Sequence, residues 1–426
     1  MLAKKVISTF IIKVSASVCS YLVSILLVRQ GGAELAGEFF SWLAYLLLAS
    51  SVIRFGLDHK IVKEITQSTG NELDIVLGKA LSLCFFSGII TLPIIYILAI
   101  YLQNTSHFVA AIIAFSCFIF SIVYLLGNVF QGLNRADLTI LSQEVFIWLA
   151  LFIFLITFDS INIFQAWSLY LLGLLISLCI SCSILIFKYH IKPKLGNCNE
   201  LKSYAKETLP YFSAIVGHVA LQWCPLIFLS LLSHPENAGY FVAIQRTSML
   251  IAFLLGVFNL VTNPIYANYF VKNNLNDVGK LARAISLVMF FVSLPLLFIL
   301  ILFGDGLIGL YGEEFKVLKD IFIVMAIAQL FNAVTGSAGY ILTMGGQAKL
   351  VEKSIVITLF FMFFVGPVLT LYYDVWGAGI TSALSVIIFN SVNIYLLYKY
   401  MSINIIPNKN SFLYLLSIIP SIRNNR

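Results

Sequence analysis

Three basic residues stand where a cation is costly. Lys13, Arg54 and Arg246 each fall inside, or at the end of, an apolar run long enough to cross a membrane. A cation at the centre of a span costs on the order of 3 kcal/mol even on the lenient insertion scale, so such residues face protein or water. The chemistry they offer is anion binding, because guanidinium and ammonium groups donate charge-assisted hydrogen bonds to phosphate and carboxylate oxygens. Each has a structural alternative. Lys13 has a stem long enough to snorkel to the headgroups, Arg54 has Asp58 at i+4, and Arg246 can be tied to carbonyls or to Gln245. Glu144, in the first turns of a later apolar run, reads equally as a counter-ion or an interfacial acid.

Neutral polar groups accompany them at helical spacing. Positions i, i+4, i+7 and i+11 share a helix face. Lys13, Ser17, Ser20 and Ser24 lie on one such face, with Thr9 a turn earlier, and Tyr211, His218 and Gln222 lie on another. Shifting the first stripe by 202 positions sets Thr9 on Tyr211 and Ser20 on Gln222, as expected if both helices line one cleft. Gln329, Asn332, Gly336 and Tyr340 form a third stripe, Tyr124, Asn128 and Gln131 a fourth, and Asn390 and Asn393 lie in the final run. These groups suit hydroxyl-rich ligands, though they serve helix-to-helix bonds and close packing as well. No His, Cys or Glu set has metal-ligand spacing, no glycine-rich phosphate loop is present, and no run carries an acid near its middle. Metal chemistry, ATP hydrolysis and hydrolytic catalysis are therefore not expected, and no cofactor is implied.

The elements that must position these residues follow from composition. With 60% hydrophobic residues, 11% charged and a mean hydropathy of +0.98 over 426 residues, the chain departs far from soluble proteins, in which about a quarter of residues are charged. Runs of roughly 20 apolar residues without period-2 alternation indicate helical spans. Twelve are counted, at about 6–28, 39–58, 79–102, 108–130, 139–158, 166–187, 209–232, 239–265, 283–303, 319–343, 352–373 and 378–400. The first follows Lys4 and Lys5 but is long and lacks a small-residue cleavage site, so it reads as a retained anchor. With the N-terminus inside, 21 of the 26 Lys and Arg fall on the cytoplasmic side and only Arg29, Lys316 and Lys319 outside. That imbalance places both termini in the cytoplasm. The net charge of +7 then reflects topology and anionic lipid headgroups, not nucleic acid. The seven cysteines form no disulfide framework, and Cys179 and Cys182 read as packing residues.

The expected organisation is an N-lobe over 1–187, a cytoplasmic inter-lobe loop over 188–208, a C-lobe over 209–400 and a cytoplasmic tail over 401–426. Within the tail, Phe412 to Ile419 is too short to span. Two echoes support two equivalent halves. Glu34-Leu35-Ala36-Gly37-Glu38-Phe39 returns as Glu236-Asn237-Ala238-Gly239-Tyr240-Phe241, and Gln131-Gly132-Leu133-Asn134-Arg135-Ala136-Asp137-Leu138 returns as Met344-Gly345-Gly346-Gln347-Ala348-Lys349-Leu350. With six spans in each half, these are parallel repeats about an axis along the membrane normal.

Arg29 to Phe39 after span 1, Phe55-Gly56-Leu57-Asp58 ending span 2, Gln131 to Arg135 after span 4 and Glu236 to Arg246 opening span 8 give the chain a family likeness. Over residues 1 to 400 it resembles the polysaccharide (O-antigen) flippases, Wzx-type proteins of the MATE-like multidrug, oligosaccharidyl-lipid and polysaccharide exporter superfamily. The resemblance implies an all-α polytopic membrane protein, twelve transmembrane helices in two six-helix lobes around a central cavity, with spans 1, 2, 7 and 8 facing it. It implies a cationic cavity for the pyrophosphate of an undecaprenyl-linked oligosaccharide, matched here by Lys13, Arg54 and Arg246. Lys13 offers a point charge where arginine would offer a bidentate fork. Partners implied are the lipid-linked oligosaccharide, membrane lipids, and a polysaccharide polymerase with its chain-length machinery, in the cytoplasmic membrane of a bacterium. Peptidoglycan-precursor flippases of the superfamily typically have fourteen spans, which argues against that branch. Two alternatives stand beside this reading. A small-molecule or multidrug antiporter of the same fold usually needs a buried acid, and a membrane glycosyltransferase or polymerase needs larger extramembrane segments than these loops supply.

Overall fold

The computed structural model describes residues 2–408 apart from 69, 104, 195–197 and 273. Among these residues all regular structure is helical. In chain order the helices are α1 (Leu2–Ile53), α2 (Leu57–Gln67), α3 (Asn71–Gln103), α4 (His107–Gly132), α5 (Ala136–Ile140), α6 (Phe146–Thr157), α7 (Ile163–Ser183), α8 (Cys198–Leu232), α9 (Pro235–Val271), α10 (Leu275–Leu302), α11 (Gly304–Ile308), α12 (Lys319–Thr335), α13 (Ser337–Met344) and α14 (Ala348–Met401). Short π-helical turns lie at Leu141–Val145 and Ile184–Lys188, and a 3₁₀ turn at Glu313–Leu318. Helices are what such apolar runs must form, since a chain in hydrocarbon has no water to satisfy its backbone and bonds within itself.

Nine helical stretches among the described residues are long and apolar enough to cross a membrane. Two of them, Thr9–Ile53 with 45 residues and Ala348–Met401 with 54, are roughly two to three times the ~30 Å hydrocarbon core at about 1.5 Å per residue. Each is interrupted once, at Gly32 (φ 80°) and at Asp374 (φ 45°). These are the places where the sequence pattern ends spans 1 and 11. Counting both as two spans, and adding α9, is the reading that keeps twelve.

Helices outlast the apolar runs that define the spans. The expected boundaries at 79 and 209 give way to starts at Asn71 and Cys198, because charge ends a hydrophobic run without ending a helix. The expected inter-lobe loop is thereby shortened, and α2 is an additional helix, with Leu57, Lys60, Ile61 and Ile65 turned inward. Charges of the α8 extension are taken up locally: Lys60 pairs with Glu207 at 2.8 Å, Lys79 pairs with Glu200 at 3.1 Å, and the Tyr204 hydroxyl donates to Glu64 at 2.6 Å. The tail segment Phe412 to Ile419 lies outside the described residues.

By internal packing the chain forms two compact units, Met1–Gly239 and Tyr240–Arg426. They part in the first turns of α9 and not at 188–208, because α8 packs along α1, α2 and α3. In the first unit α4 packs against α1, α2, α3 and α7, and Phe39, Phe40, Trp42, Phe130, Trp167 and Tyr170 are fully buried. The Phe39 ring lies 4.9 Å from that of Trp167 and 6.0 Å, edge-on, from that of Tyr170, an arrangement that adds to the area they bury. In the second unit α12 packs against α10 and α14, around Phe315, Phe322, Met325 and Met362.

Both sequence echoes have structural counterparts. Within the first unit, a side chain added at Gly37 would strike the Pro235 carbonyl and the Gly239 nitrogen, and one added at Gly239 would strike the Ala33 carbonyl. The two copies of the motif thus meet backbone to backbone, which their shared glycine and alanine permit. The second echo repeats a conformation. Leu133 and Gly345 have φ,ψ of −78°, 10° and −79°, 10°, and the following Asn134 and Gly346 are both left-handed. Arg135 N–H then bonds Phe130 O at 2.9 Å, as Gln347 N–H bonds Leu342 O at 2.8 Å. Arg135 goes on to donate twice to Asp137, at 2.9 and 2.7 Å, which raises the pKa of its guanidinium.

Candidate functional site

One set of interior polar groups in the first unit runs from the end of α1 through α4 to the π turn. It begins where α1 ends. Phe55 and Gly56 take positive φ, 46° and 81°, and turn the chain sharply enough for Asp58, in the first turn of α2, to come back to Arg54. Arg54 is 3% exposed. Its Nε donates to Asp58 Oδ1 at 2.7 Å, its Nη1 donates to Ser50 Oγ at 3.1 Å, and it lies over the Tyr124 ring at 4.3 Å. Asp58 also accepts from Asn128 Nδ2 on α4 at 3.1 Å. A buried cation without a carboxylate is strongly destabilising, so Asp58 and its second donor hold this corner together.

From Asn128 the network passes to the π turn Leu141–Val145. Gln143 Nε2 donates to Asn128 Oδ1 at 3.1 Å and to the Tyr124 carbonyl at 2.9 Å. Gly127 makes room for it, since a side chain there would overlap the Gln143 amide at 2.5 Å. The next residue, Glu144, accepts a hydrogen bond from Lys13 on α1 as an ion pair. Ser177 of α7 donates to the Ser142 carbonyl at 2.6 Å. A π turn is one residue wider than an α turn and is frequent at functional sites; here its successive side chains reach two different helices.

Lys13, Arg54 and Asn128, which the sequence marks separately, are therefore connected through Asp58, Gln143 and Glu144. Arg54 is engaged by Asp58, and Lys13 by Glu144, which takes the counter-ion role. Gln143 is a member of the network that hydropathy and stripe spacing do not mark; an amide beside an acid at the head of an apolar run is the available signal. Along the first stripe, Ser17 and Ser20 are half-buried, whereas Ser24 is fully buried and donates to the Tyr21 carbonyl at 2.6 Å. On α8, Tyr211, His218 and Gln222 are all exposed on one face. In the second unit Arg246 is half-buried on α9, beside the buried Gln245 and Thr247. There Asn332 Nδ2 donates to Gln329 Oε1 at 3.1 Å, and Asn390 Nδ2 donates to Asn332 Oδ1 at 3.0 Å, so Gln329 and Asn332 belong to a separate amide chain.

Long apolar helices carrying interior charge in paired, hydrogen-bonded form define a multi-pass membrane protein. An inward-facing multidrug resistance MATE family transporter of the MOP superfamily superposes with a TM-score of 0.73 at 14% identity, over 93% of this chain and 98% of its own. The lipid II flippase MurJ in an inward closed conformation gives 0.70 at 14% identity, over 97% and 93%. A MOP superfamily transporter of Pyrococcus furiosus, described as having a binding pocket of reverse polarity, gives 0.68 at 14% identity, over 94% and 96%. The fold is thus that of the MATE-like transporters. The profile of the family described as polysaccharide biosynthesis protein matches residues 2–270, and the chain belongs to that family. The probable low-salt glycan biosynthesis flippase Agl15 of Haloferax volcanii is 22% identical over 414 residues, 94% of this chain and 84% of that protein.

Proposed function

We propose that the protein is a flippase that moves an undecaprenyl-pyrophosphate-linked oligosaccharide, an O-antigen repeat unit or a similar glycan, from the inner to the outer leaflet of the cytoplasmic membrane. The observation that carries this reading is the Lys13, Arg54 and Asn128 network, positive charge and amides gathered inside apolar spans. Family membership and the glycan flippase among its relatives support the cargo class. In this reading Lys13 and Arg246 are the cations offered to the pyrophosphate. Arg54, its charge met by Asp58, contributes positioning through Asn128. Ser17, Ser20, Tyr211, His218 and Gln222 meet the sugars, with Asn128, Gln329 and Asn332 as further amides and Ser24 as a packing residue at the end of its stripe. The exposed polar face of α8 supports this assignment, because polar side chains facing lipid are costly.

The cycle proposed is alternating access: the head group enters from the cytoplasmic side, the lipid tail stays in the bilayer, and a rearrangement exposes the head group outside. An inside-negative potential gives an outward-moving anion about 2.3 kcal/mol per charge per 100 mV, so the two phosphate charges help drive export. Both termini lie in the cytoplasm by the charge pattern, and a polymerase with its chain-length machinery takes up the product. The likeness to the MATE transporter favours a second reading, a small-molecule antiporter. Reconstitution in vesicles with a fluorescent lipid-linked oligosaccharide separates them: the flippase moves the glycolipid without forming a bond, whereas the antiporter leaves it in place. In cells, Arg246→Ala is expected to abolish surface polysaccharide while the protein still reaches the membrane. Retained export would remove Arg246 from the mechanism.

A further inference from the structure

The proposed transport step uses Lys13 and leaves Glu144 without a task. Yet Glu144 is the residue that holds Lys13. The two side chains are each 33% exposed, so the pair is accessible and not sealed in the core. Its geometry is built by neighbouring elements of the first unit. Gln143 ties the π turn to α4 through Tyr124 O and Asn128 Oδ1, Ser177 ties it to α7 through Ser142 O, and the carboxylate that follows is left directed at α1. Such support is more than a surface ion pair needs, since exposed pairs contribute little to stability.

A carboxylate and a phosphate compete for the same ammonium, because both present anionic oxygens to the same N–H donors. We infer that Glu144 is an internal anion: it occupies Lys13 while the protein is empty, yields to the phosphate of the arriving head group, and reclaims Lys13 when the head group leaves. This rests on the flippase reading and adds to it a residue that sets how tightly the head group is held and how readily it is released. A weak or singly charged acceptor does not displace the carboxylate effectively. A pyrophosphate, with more charge and more acceptor oxygens, does. Returning to Lys13, Glu144 lowers the barrier to unloading, so tight capture is avoided by a competitor carried in the chain itself.

The test uses the full-length protein in nanodiscs with three probes, a polyprenyl pyrophosphate, the matching monophosphate and the neutral polyprenol, with bound lipid read by native mass spectrometry. Glu144→Gln is expected to bind the pyrophosphate lipid about tenfold tighter than wild type. It is also expected to tighten the monophosphate by a similar factor, since freeing Lys13 helps both phosphates alike, and to leave the polyprenol unchanged. Glu144→Asp, whose shorter carboxylate reaches Lys13 less well, gives an intermediate gain and serves in place of the Gln variant should that fail to assemble. Lys13→Gln weakens the pyrophosphate lipid about tenfold, and adding Glu144→Gln to it restores nothing, because the competitor acts only through Lys13. A purely structural Glu144 would give no gain in affinity. The inference is overturned if both Glu144 variants bind the pyrophosphate lipid no better than wild type while Lys13→Gln loses it, or if the gain persists without Lys13. A wild type that binds pyrophosphate lipid no better than polyprenol sinks the anionic cargo, and the internal competitor with it.

Discussion

Asp58 is the residue on which the Arg54 corner turns, since it accepts from both Arg54 and Asn128. Asp58→Asn keeps the shape and removes the charge, leaving the guanidinium of Arg54, a residue 3% exposed, without its carboxylate. Breaking a buried pair in this way costs about 3–5 kcal/mol, a large part of the roughly 5–15 kcal/mol by which a folded protein is typically stable. The expected result is a lower aggregation temperature in detergent, followed by fluorescence-detected size exclusion. The double variant Arg54→Met, Asp58→Leu should lose less than the single one, because no charge is then stranded. The sequence shows this pair by its i+4 spacing, but for an incomplete reason. That spacing pairs side chains along a helix, whereas α1 has already ended at Ile53 and the pair closes across the Phe55-Gly56 turn. Gly56 is accordingly the more sensitive position. Any other residue there meets the left-handed penalty of roughly 1–2 kcal/mol and places a Cβ 2.5 Å from the Thr208 carbonyl. Gly56→Ala should reduce the yield of folded protein in a membrane-fraction assay, and a normal yield would show that α8 moves aside freely.

Elements are legible in the sequence wherever hydrophobicity defines them and illegible where hydrogen-bond register does. The apolar run at 139–158 marks α6 but gives no sign of the π turn before it, because a single added residue leaves a run of Phe, Ile and Leu just as apolar. The α2 helix is hidden for the opposite reason: its charged residues resemble a loop until Lys60 and Glu64 find partners on α8. The π turn depends on Gly127, where a methyl group would overlap most of the Gln143 side chain. Gly127→Ala should therefore cost about 1–3 kcal/mol, the range for overpacking a tight contact. Gln143→Ala added to it should recover much of that loss, since the obstacle is gone. Thermal midpoints of the four proteins give the coupling directly, and simple additivity would mean that α4 and the π turn do not meet at Gly127. At the other end of the first unit, Gly37→Ala forces the chain around Gly37 away from Pro235 and Gly239. Ala36, 0% exposed beside it, should then become reachable. In a background without native cysteines, Ala36→Cys is expected to resist a water-soluble maleimide and to react with it once Gly37→Ala is added.

At the scale of the whole chain, duplication is legible and its spacing explains itself. The first echo recurs after 202 residues and the second after 212. The ten extra positions match the excess of the outer segment Gly304–Leu318 over its counterpart Gln103–His107, the excess being folded into α11 and the 3₁₀ turn. What hydropathy alone does not show is how often α1 and α14 cross, since each is two helical stretches joined at a kink, at Gly32 or at Asp374. Charge decides between the readings. If α1 crosses twice, the Lys and Arg of the α2 region lie inside with Lys4 and Lys5. If it crosses once, every later loop changes sides, and the 21 to 3 partition of basic residues is lost, against the strong bias of short cytoplasmic loops toward Lys and Arg. Alkaline phosphatase joined after Gly70 is therefore expected to be inactive, and joined after Gly312 to be active, while a green fluorescent protein joined after Met401 should fluoresce. Activity after Gly70 would mean that the chain does not turn back at Gly32. The expectation of parallel repeats would then fall, and with it the expected correspondence of the stripes on α1 and α8, on which a shared polar pathway depends.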